Sequence, residues 1–329
     1  MTMKAMVYEK YGLPDVLRIE ETEIPKPKDD EVLLAVHAAS VNSWDWDLLR
    51  GKPYINRIGG LRKPRYRILG ADVAGTVVAA GAAVTRYRPG DEVFGDLSGC
   101  GWGGFAEYVC ARETALTPKP AGLSFEQAAA IPQAAVLALQ GMRDIGRLDK
   151  GCRVLINGAG GGVGTFAIQY AKWLGAEVTG VDRGDKLDLL RDVGADHVLD
   201  YAREDFAANG PRYDLILDVV GNRSAVEVRR ALRPGGAYVM VGGSLPRILQ
   251  TLLAAKPAAW LEKKNLAVLV HKPKHEDQLV WSDLAEAGHV KPVIDRLYTL
   301  NDAPRALAYF GEGRVRGKVV IAIRSTPSF

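Results

Sequence analysis

Residues 154–164 read VLINGAGGGVG, an apolar run that enters five glycines within seven positions. Glycine loses more conformational freedom on folding than any other residue, so a cluster this dense needs a structural reason. A turn requires one or two glycines. A cluster serves where backbone must approach another group closely. The flanks agree. Arg153–Asn157 reads as a short buried strand. From Thr165, TFAIQYAKWLGA carries Phe166, Ile168, Ala171 and Leu174 at near-helical spacing, with Gly175 as the helix end. Strand, glycine turn and helix open a βαβ unit. The fingerprint G-x-G-x-x-G is met with one relaxation, since Ala159, Gly161 and Gly164 hold its three glycine positions. The amides of Gly161, Gly162, Val163 and Gly164 then face a pyrophosphate at the helix start, where the helix dipole favours negative charge.

A glycine motif alone is weak, and the following segments decide its reading. AEVTGVD predicts a second strand ending in Asp182, near the roughly 20-residue offset of a ribose-binding acid. HVLDY, YDLILDVVG and AYVMVGG predict a third, fourth and fifth strand. Helical stretches over 186–193 and 224–232 separate them. A plain α/β domain with one tight turn explains the glycines but not the acid in register with them. Dinucleotide binding explains both.

The chain has 329 residues, enough for two domains, with 47% hydrophobic and 25% charged residues. A formal charge of +4 with both signs mixed is too mild to argue for a nucleic-acid partner. Cys100, Cys110 and Cys152 form no C-x-x-C pair, which suits a reducing compartment. MTMKAMVYEKYG lacks the apolar core of a secretory signal, so a cytoplasmic protein is expected. ILQTLLAAKPAAW, residues 248–260, falls short of the roughly 20 apolar residues that span a bilayer. It reads as a helix packed at a domain or subunit contact, with a membrane-surface or lid role as the lesser reading, and no membrane partner is expected.

Outside the nucleotide-binding segment the first part is β-rich. KAMVYEK and VLRIEET alternate around YGLPD as a hairpin would. Glycines at 70, 75, 81, 90 and 95 punctuate short Val-rich runs, as in a small twisted barrel. SFEQAAAIPQAAVLALQGM predicts a helix leading into the nucleotide domain. After the apolar strand NLAVLVH, a helix, the strand KPVIDRLY, a helix from Asp302 and the strand GKVVIAI cannot easily extend a parallel sheet. They are expected to return to the first domain.

The motifs VNSWDWDLLRGKPY, LGADVAGTV, RPGDEVFG, GGFAEYV, NGAGGGVGTFAIQYAK, GADHVLDY, DVVGN and RGKVVI together span nearly the whole chain. The sequence resembles the medium-chain dehydrogenase/reductase superfamily in its zinc-free quinone oxidoreductase (zeta-crystallin-like) branch. It is also similar to reductases described as NAD(P)-dependent alcohol dehydrogenases and to the reticulon-interacting mitochondrial group. The resemblance implies an α/β protein. A GroES-like β-rich catalytic domain is expected over residues 1–125 and 272–329, and a Rossmann doubly wound parallel sheet over 126–271. An active site in the cleft between the domains is implied with them.

Zinc members of that superfamily place a Cys near 41–45, where none stands here. They place a His where this chain has Ala71, and a third ligand near Gln133; the four-Cys structural lobe reduces to Cys100. No metal is therefore expected. Without a Lewis acid the favoured acceptors are electron-poor, a quinone or an α,β-unsaturated carbonyl, reduced by NAD(P)H. The alternatives are an enoyl-thioester reductase, with Arg57, Arg62, Lys63 and Arg65 as a basic entry, and a nucleotide-binding protein without turnover.

The resemblance maps Asn42 and Asp45 onto an Asn-x-x-Asp pair that shapes the cleft, although Asp45 reads equally well as the cap of a helix from Trp46. Tyr54 is a third catalytic candidate, as donor to a substrate carbonyl, and Trp44 and Trp46 are candidates to line an acceptor pocket. The cofactor set implied is Gly161, Gly162, Val163, Gly164, Asp182, Arg183, Lys186, Tyr201, Val220, Gly242, Gly243 and Lys318. None of the five histidines has a nucleophile partner. Asp182 opposes a 2′-phosphate while Arg183 and Lys186 attract one. The carboxylate is fixed by its strand and the two basic chains are long and mobile, so dual use leaning to NADH is expected. Residues 265–271, at a sheet edge, are expected to pair with a second copy in a homodimer.

Overall fold

The computed structural model describes residues 1–57, 60–208 and 212–324. Two compact units emerge, Met1–Gln133 with Pro273–Phe329, and Ala134–Lys272. In chain order the strands are β1 (Thr2–Val7), β2 (Arg18–Glu23), β3 (Glu31–Val41), β4 (Asp72–Ala80), β5 (Glu92–Asp96), β6 (Tyr108–Arg112), β7 (Leu116–Pro118), β8 (Arg153–Asn157), β9 (Glu177–Asp182), β10 (His197–Asp200), β11 (Tyr213–Asp218), β12 (Leu232–Met240), β13 (Asn265–Val268), β14 (Ile294–Thr299) and β15 (Lys318–Ala322). The helices are α1 (Ser43–Arg50), α2 (Phe125–Ala129), α3 (Pro132–Leu139), α4 (Gly162–Trp173), α5 (Leu187–Val193), α6 (Ala225–Ala231), α7 (Leu245–Glu262), α8 (His275–Glu286) and α9 (Ala303–Gly311).

The first unit is the GroES-like, β-rich one. β1 and β2 form the expected antiparallel hairpin. A seven-stranded sheet runs β14-β15-β3-β4-β5-β7, with β6 also paired to β3. β3 is central because its sequence is apolar on both faces, and Leu34, Val36, Ala38 and Ala39 are fully buried. The C-terminal strands return to this sheet, where β15 pairs antiparallel with β3. The registers place Val319 opposite Val41 and Ser40 opposite Asp72. Three polar positions, on β4, on β15 and at the end of β3, are thereby brought side by side.

The second unit is a parallel sheet ordered β10-β9-β8-β11-β12-β13. Counted within the unit this is 3-2-1-4-5-6, the doubly wound order whose direction reverses between β8 and β11. Its core joins Leu155, Ile216, Tyr238 and Met240 to Val228 and Ala258 of the covering helices.

Four local expectations change. The glycine-turn helix begins at Gly162, three residues before Thr165, with Gly161 as its N-cap. The helix expected through SFEQAAAIPQAAVLALQGM is broken into α2, α3 and a π-helical turn over Gln140–Ile145, because Pro132 has no amide to continue the ladder. β13 stops at Val268, and Gln140 then clasps Lys272 through both amide atoms, at 2.7 and 3.2 Å. The helix expected over 248–260 is longer, α7 spanning Leu245–Glu262 and running through Lys256 and Pro257. It buries only one side, at Thr251 and Ala258, and leaves its leucines exposed.

Candidate active site

In the second unit the glycine turn follows from close approach. A Cβ on Gly164 would lie 2.4 Å from the Gly158 carbonyl oxygen, so only glycine lets α4 start against the end of β8. The first amides of such a helix have no intrahelical acceptor and point outward with the positive end of the dipole. The turn is anchored to β9, where the amides of Gly158 and Ala159 donate to the Val181 carbonyl at 2.9 and 3.1 Å. Asp182 adds a second tether, its Oδ2 accepting from the Gly160 amide and its Oδ1 from the Arg183 amide, both at 2.8 Å.

The basic neighbours of Asp182 differ from expectation. Lys186 is not a mobile surface chain: it is 6% exposed, and its ammonium stands 3.6 Å from Asp182. The helix α5 starts just beyond it and holds its backbone. Arg183 is taken by Asp185, at 2.5 and 2.8 Å. Tyr201, just past β10, is half-exposed.

The ends of β11 and β12 complete this edge of the sheet. Asp218, fully buried, accepts from Asn157 Nδ2 and the Gly221 amide at 2.8 Å, from the Val220 amide at 3.1 Å, and from the Tyr238 hydroxyl at 2.9 Å. These bonds lock the turn carrying Val220. A Cβ on Gly221 would meet the Gly242 carbonyl oxygen at 2.1 Å, so the turn after β11 packs directly on the Gly242–Gly243 backbone. The glycine turn, Asp182, Val220, Gly242 and Gly243 thus share the carboxyl edge around the β8/β11 reversal, where doubly wound sheets bind nucleotides. Asp218 was not singled out from sequence. Its signal was an acid closing the otherwise apolar strand YDLILD.

In the first unit a buried polar cluster joins Asn42, Asp45, Asp72 and Lys318. Lys318, at the start of β15, donates to Asn42 Oδ1 at 2.5 Å and lies 3.4 Å from Asp72 Oδ2. Asp72 also accepts from the Ser40 hydroxyl and the Gln133 amide, both at 3.2 Å. Asp72 is fully buried and Lys318 is 3% exposed. Burial pushes the Asp72 carboxyl up to about 6, although Lys318 pulls the other way. Burial likewise lowers the Lys318 ammonium, against the attraction of Asp72.

Asn42 is the N-cap residue of α1, which begins at Ser43, not Trp46. Asp45, in its first turn, accepts the Asn42 amide on Oδ2 and the Gly70 amide on Oδ1, both at 2.8 Å. Burial raises its carboxyl to about 7, against the two amides that favour the charged form. The Asn42 Nδ2 is buried with no partner at hydrogen-bonding geometry, although it lies near enough to Asp72 to favour that ionised group.

The structure therefore brings Asn42, Asp45 and Lys318 together and adds Asp72. Tyr54 takes no part in these bonds. It is 73% exposed on a short turn, its ring 5.0 Å from the Arg57 guanidinium, which also lies 4.5 Å over Tyr11. Trp44 stands edge-on to Trp102 with ring centres 5.9 Å apart, while Trp46 lies under Arg50. Asp72 was legible only as an acid inside a buried strand; its partner Lys318 lies 246 residues away.

Among the described residues no group of three or more His, Cys, Asp or Glu could hold a metal ion. The donor chemistry near the expected ligand positions does not fit zinc. Ala71 has no donor, Gln133 offers a neutral amide, and the carboxylate of Asp72 is held by an ammonium.

Residues 28–121 match the alcohol dehydrogenase GroES-like domain and residues 193–321 the zinc-binding dehydrogenase family. The chain is 33% identical to 2-methylene-furan-3-one reductase of Solanum lycopersicum, over 97% of this chain and 79% of that protein. It is 31% identical to a chloroplast envelope quinone oxidoreductase homolog of Arabidopsis thaliana, over 97% and 98%. It is 33% identical to the mitochondrial NAD(P)H oxidoreductase RTN4IP1 of Mus musculus, over 98% and 89%. A solved quinone oxidoreductase from Coxiella burnetii superposes with a TM-score of 0.88 at 29% identity, over 98% of this chain and all of that one. With the GroES-like sheet, the doubly wound sheet and the glycine turn in place, the chain belongs to the quinone oxidoreductase branch of the medium-chain dehydrogenase/reductase superfamily and is an NAD(P)H-dependent oxidoreductase.

Proposed function

We propose that the chain passes hydride from NAD(P)H to a quinone or an α,β-unsaturated carbonyl without zinc. The observation that carries this reading is the buried Asn42–Asp72–Lys318 cluster, in which an ammonium faces the carboxylate. The glycine turn fits a dinucleotide: the first amides of α4 have no intrahelical acceptor, and Gly162, Val163 and Gly164, with Gly161 as the N-cap whose own amide meets the Gly158 carbonyl at 3.2 Å, would hold the pyrophosphate. Val220, Gly242 and Gly243 line the same sheet edge, and Asp182 and Tyr201 stand toward the adenosine side. The nicotinamide, when bound, supplies the hydride. Lys318 fixes the Asn42 amide by its oxygen, which leaves the buried Nδ2 hydrogens as donors with no partner at hydrogen-bonding geometry. We assign them to the acceptor oxygen, which becomes an enolate as hydride arrives at the β-carbon of an enone, or a hydroquinone anion as hydride arrives at the opposite carbonyl oxygen of a quinone, and then takes its proton from solvent. A preorganised donor of this kind contributes about 10²–10³ in kcat.

The relatives' printed names include a quinone oxidoreductase and a methylene-furanone reductase, and these support the acceptor class. The thioester alternative is weakened because Arg57 is committed to Tyr11, to Tyr54 and to the Gly51 carbonyl at 3.0 Å. For the cofactor we propose dual use leaning to NADH. Arg183 and Lys186 are held by Asp185 and Asp182, so neither is free to meet a 2′-phosphate. We also propose that the open edge of β13 pairs with a second copy in a homodimer.

The test measures NADH and NADPH oxidation with a benzoquinone, a simple enone and an enoyl-CoA, together with metal analysis. Quinone or enone turnover, reduced about a hundredfold in Asn42→Ala, is expected. Turnover of the enoyl-CoA alone, cofactor binding with no turnover, or stoichiometric zinc would each overturn the reading. A monomer by light scattering at micromolar concentration would remove the dimer.

A further inference from the structure

We propose that the outward face of α7 is a docking surface for an anionic lipid bilayer. At 3.6 residues per turn, Leu245, Leu249, Leu252, Leu253, Lys256 and Trp260 fall within an arc of about 100°. Leu253 is 78% exposed, Trp260 83%, and the other three leucines more than half. The opposite side, at Thr251 and Ala258, is fully buried. A surface helix normally shows the reverse pattern, polar outward and apolar toward the core. A contiguous exposed apolar face of this kind marks an interaction site.

The charges identify the occupant. No acidic residue lies on the outward arc, and Lys256 stands near its middle. Lys263 follows the helix, whereas Arg247 lies on its inward side and bonds Gln250 at 2.9 Å. Glu262, the acid of this segment, is already paired with Arg229 at 3.2 Å and Lys264 at 2.9 Å. A second copy of the chain fits this pattern poorly. In a two-fold contact centred on the arc, Lys256 would face its own mate, burying two ammonium groups with no acid between them. A bilayer removes the conflict. The leucines enter the acyl boundary and the indole of Trp260 sits at headgroup level. The stem of Lys256 follows the apolar face while its ammonium reaches a lipid phosphate. The helix lies on such a surface and does not cross it, since no helix among the described residues is long and apolar enough to span. The surface is independent of the active-site residues and stands whichever acceptor is reduced.

The test is flotation of the full chain with vesicles of 70% phosphatidylcholine and 30% phosphatidylglycerol, and with phosphatidylcholine alone. The wild type is expected to float with the anionic vesicles, more weakly at 0.5 M salt. Leu249→Gln/Leu253→Gln is expected to partition at least tenfold less while NADH binding, read by fluorescence, stays unchanged. Lys256→Glu provides a second variant, with the same direction on anionic vesicles and no apolar surface altered. Absence of wild-type flotation, or undiminished flotation of both variants, overturns the proposal. So does a wild type that does not float and forms an oligomer in sedimentation equilibrium that the leucine variant dissociates, which would assign the face to a second copy.

Discussion

Replacing Lys318 by methionine removes the one ammonium that touches both Asn42 and Asp72 and keeps most of the side-chain volume. Two costs follow. Asn42 Oδ1 loses a charge-assisted donor at a fully enclosed site, about 1.5–3 kcal/mol. Asp72 loses the charge that favours its ionised form, and its carboxyl rises above the present value of about 6. Its unfolded value is about 3.9, so at pH 7 the variant takes up more of a proton on folding than the wild type, which takes up only a fraction. At about 1.36 kcal/mol per pKa unit this difference is roughly 1.4 kcal/mol. At pH 5 both proteins fold with Asp72 protonated and this part vanishes. The expected loss is therefore about 3–4 kcal/mol at pH 7 and about 1.4 kcal/mol less at pH 5. That agrees with the roughly 3–5 kcal/mol lost on breaking buried ion pairs. Urea unfolding followed by circular dichroism measures it. Asp72→Asn/Lys318→Met should be less damaged than Lys318→Met alone. A single variant that loses under about 1 kcal/mol, or a loss independent of pH, would refute the account. Titration of Lys318→Met with NADH separately tests the cofactor role implied for this residue by resemblance, which a loss beyond tenfold would assign to it.

Gly164→Ala places a methyl group 2.4 Å from the Gly158 carbonyl oxygen, so the turn must shift and NADH affinity should fall at least tenfold by fluorescence titration. Asp182→Ser removes the carboxylate that holds Lys186 and should move the ratio of kcat/KM for NADPH over NADH upward by about tenfold, roughly 1.4 kcal/mol; an unchanged ratio would count against Asp182 as the discriminator. Asp45, raised to about 7 by burial, adds stability that is fully present below the unfolded value near 4 and lost as pH rises through 7. Asp45→Asn carries no charge at any pH, so wild-type stability relative to this variant should decline by about 3 kcal/mol between pH 4 and pH 7 in denaturant titrations.

Local pattern determined the nucleotide-binding unit. The run 154–164, the strand ending at Asp182 and the alternation of strands and helices are short-range signals, and β8, β9 and β11 lie where those signals put them. The hairpin of β1 and β2 was legible for the same reason. Tertiary structure decided what a residue near in sequence or alike in charge could not reveal. Lys186 reads as a surface lysine until its burial beside Asp182 is seen. Asp72 reads as an acid in an apolar strand, and Lys318 as a cofactor residue by resemblance, with nothing local to link the two. Only the antiparallel register of β3 with β4 and β15 makes them partners across 246 residues. The apolar run in α7 was plain from composition, but its direction was not. Hydrophobicity states that a face must be covered, and only the fold shows that Thr251 and Ala258 are covered while the leucines face outward. The physical reason is common to these cases. Periodicity and turn chemistry act within a few residues of chain, whereas burial and ion pairing depend on which distant strands the closed sheet sets side by side.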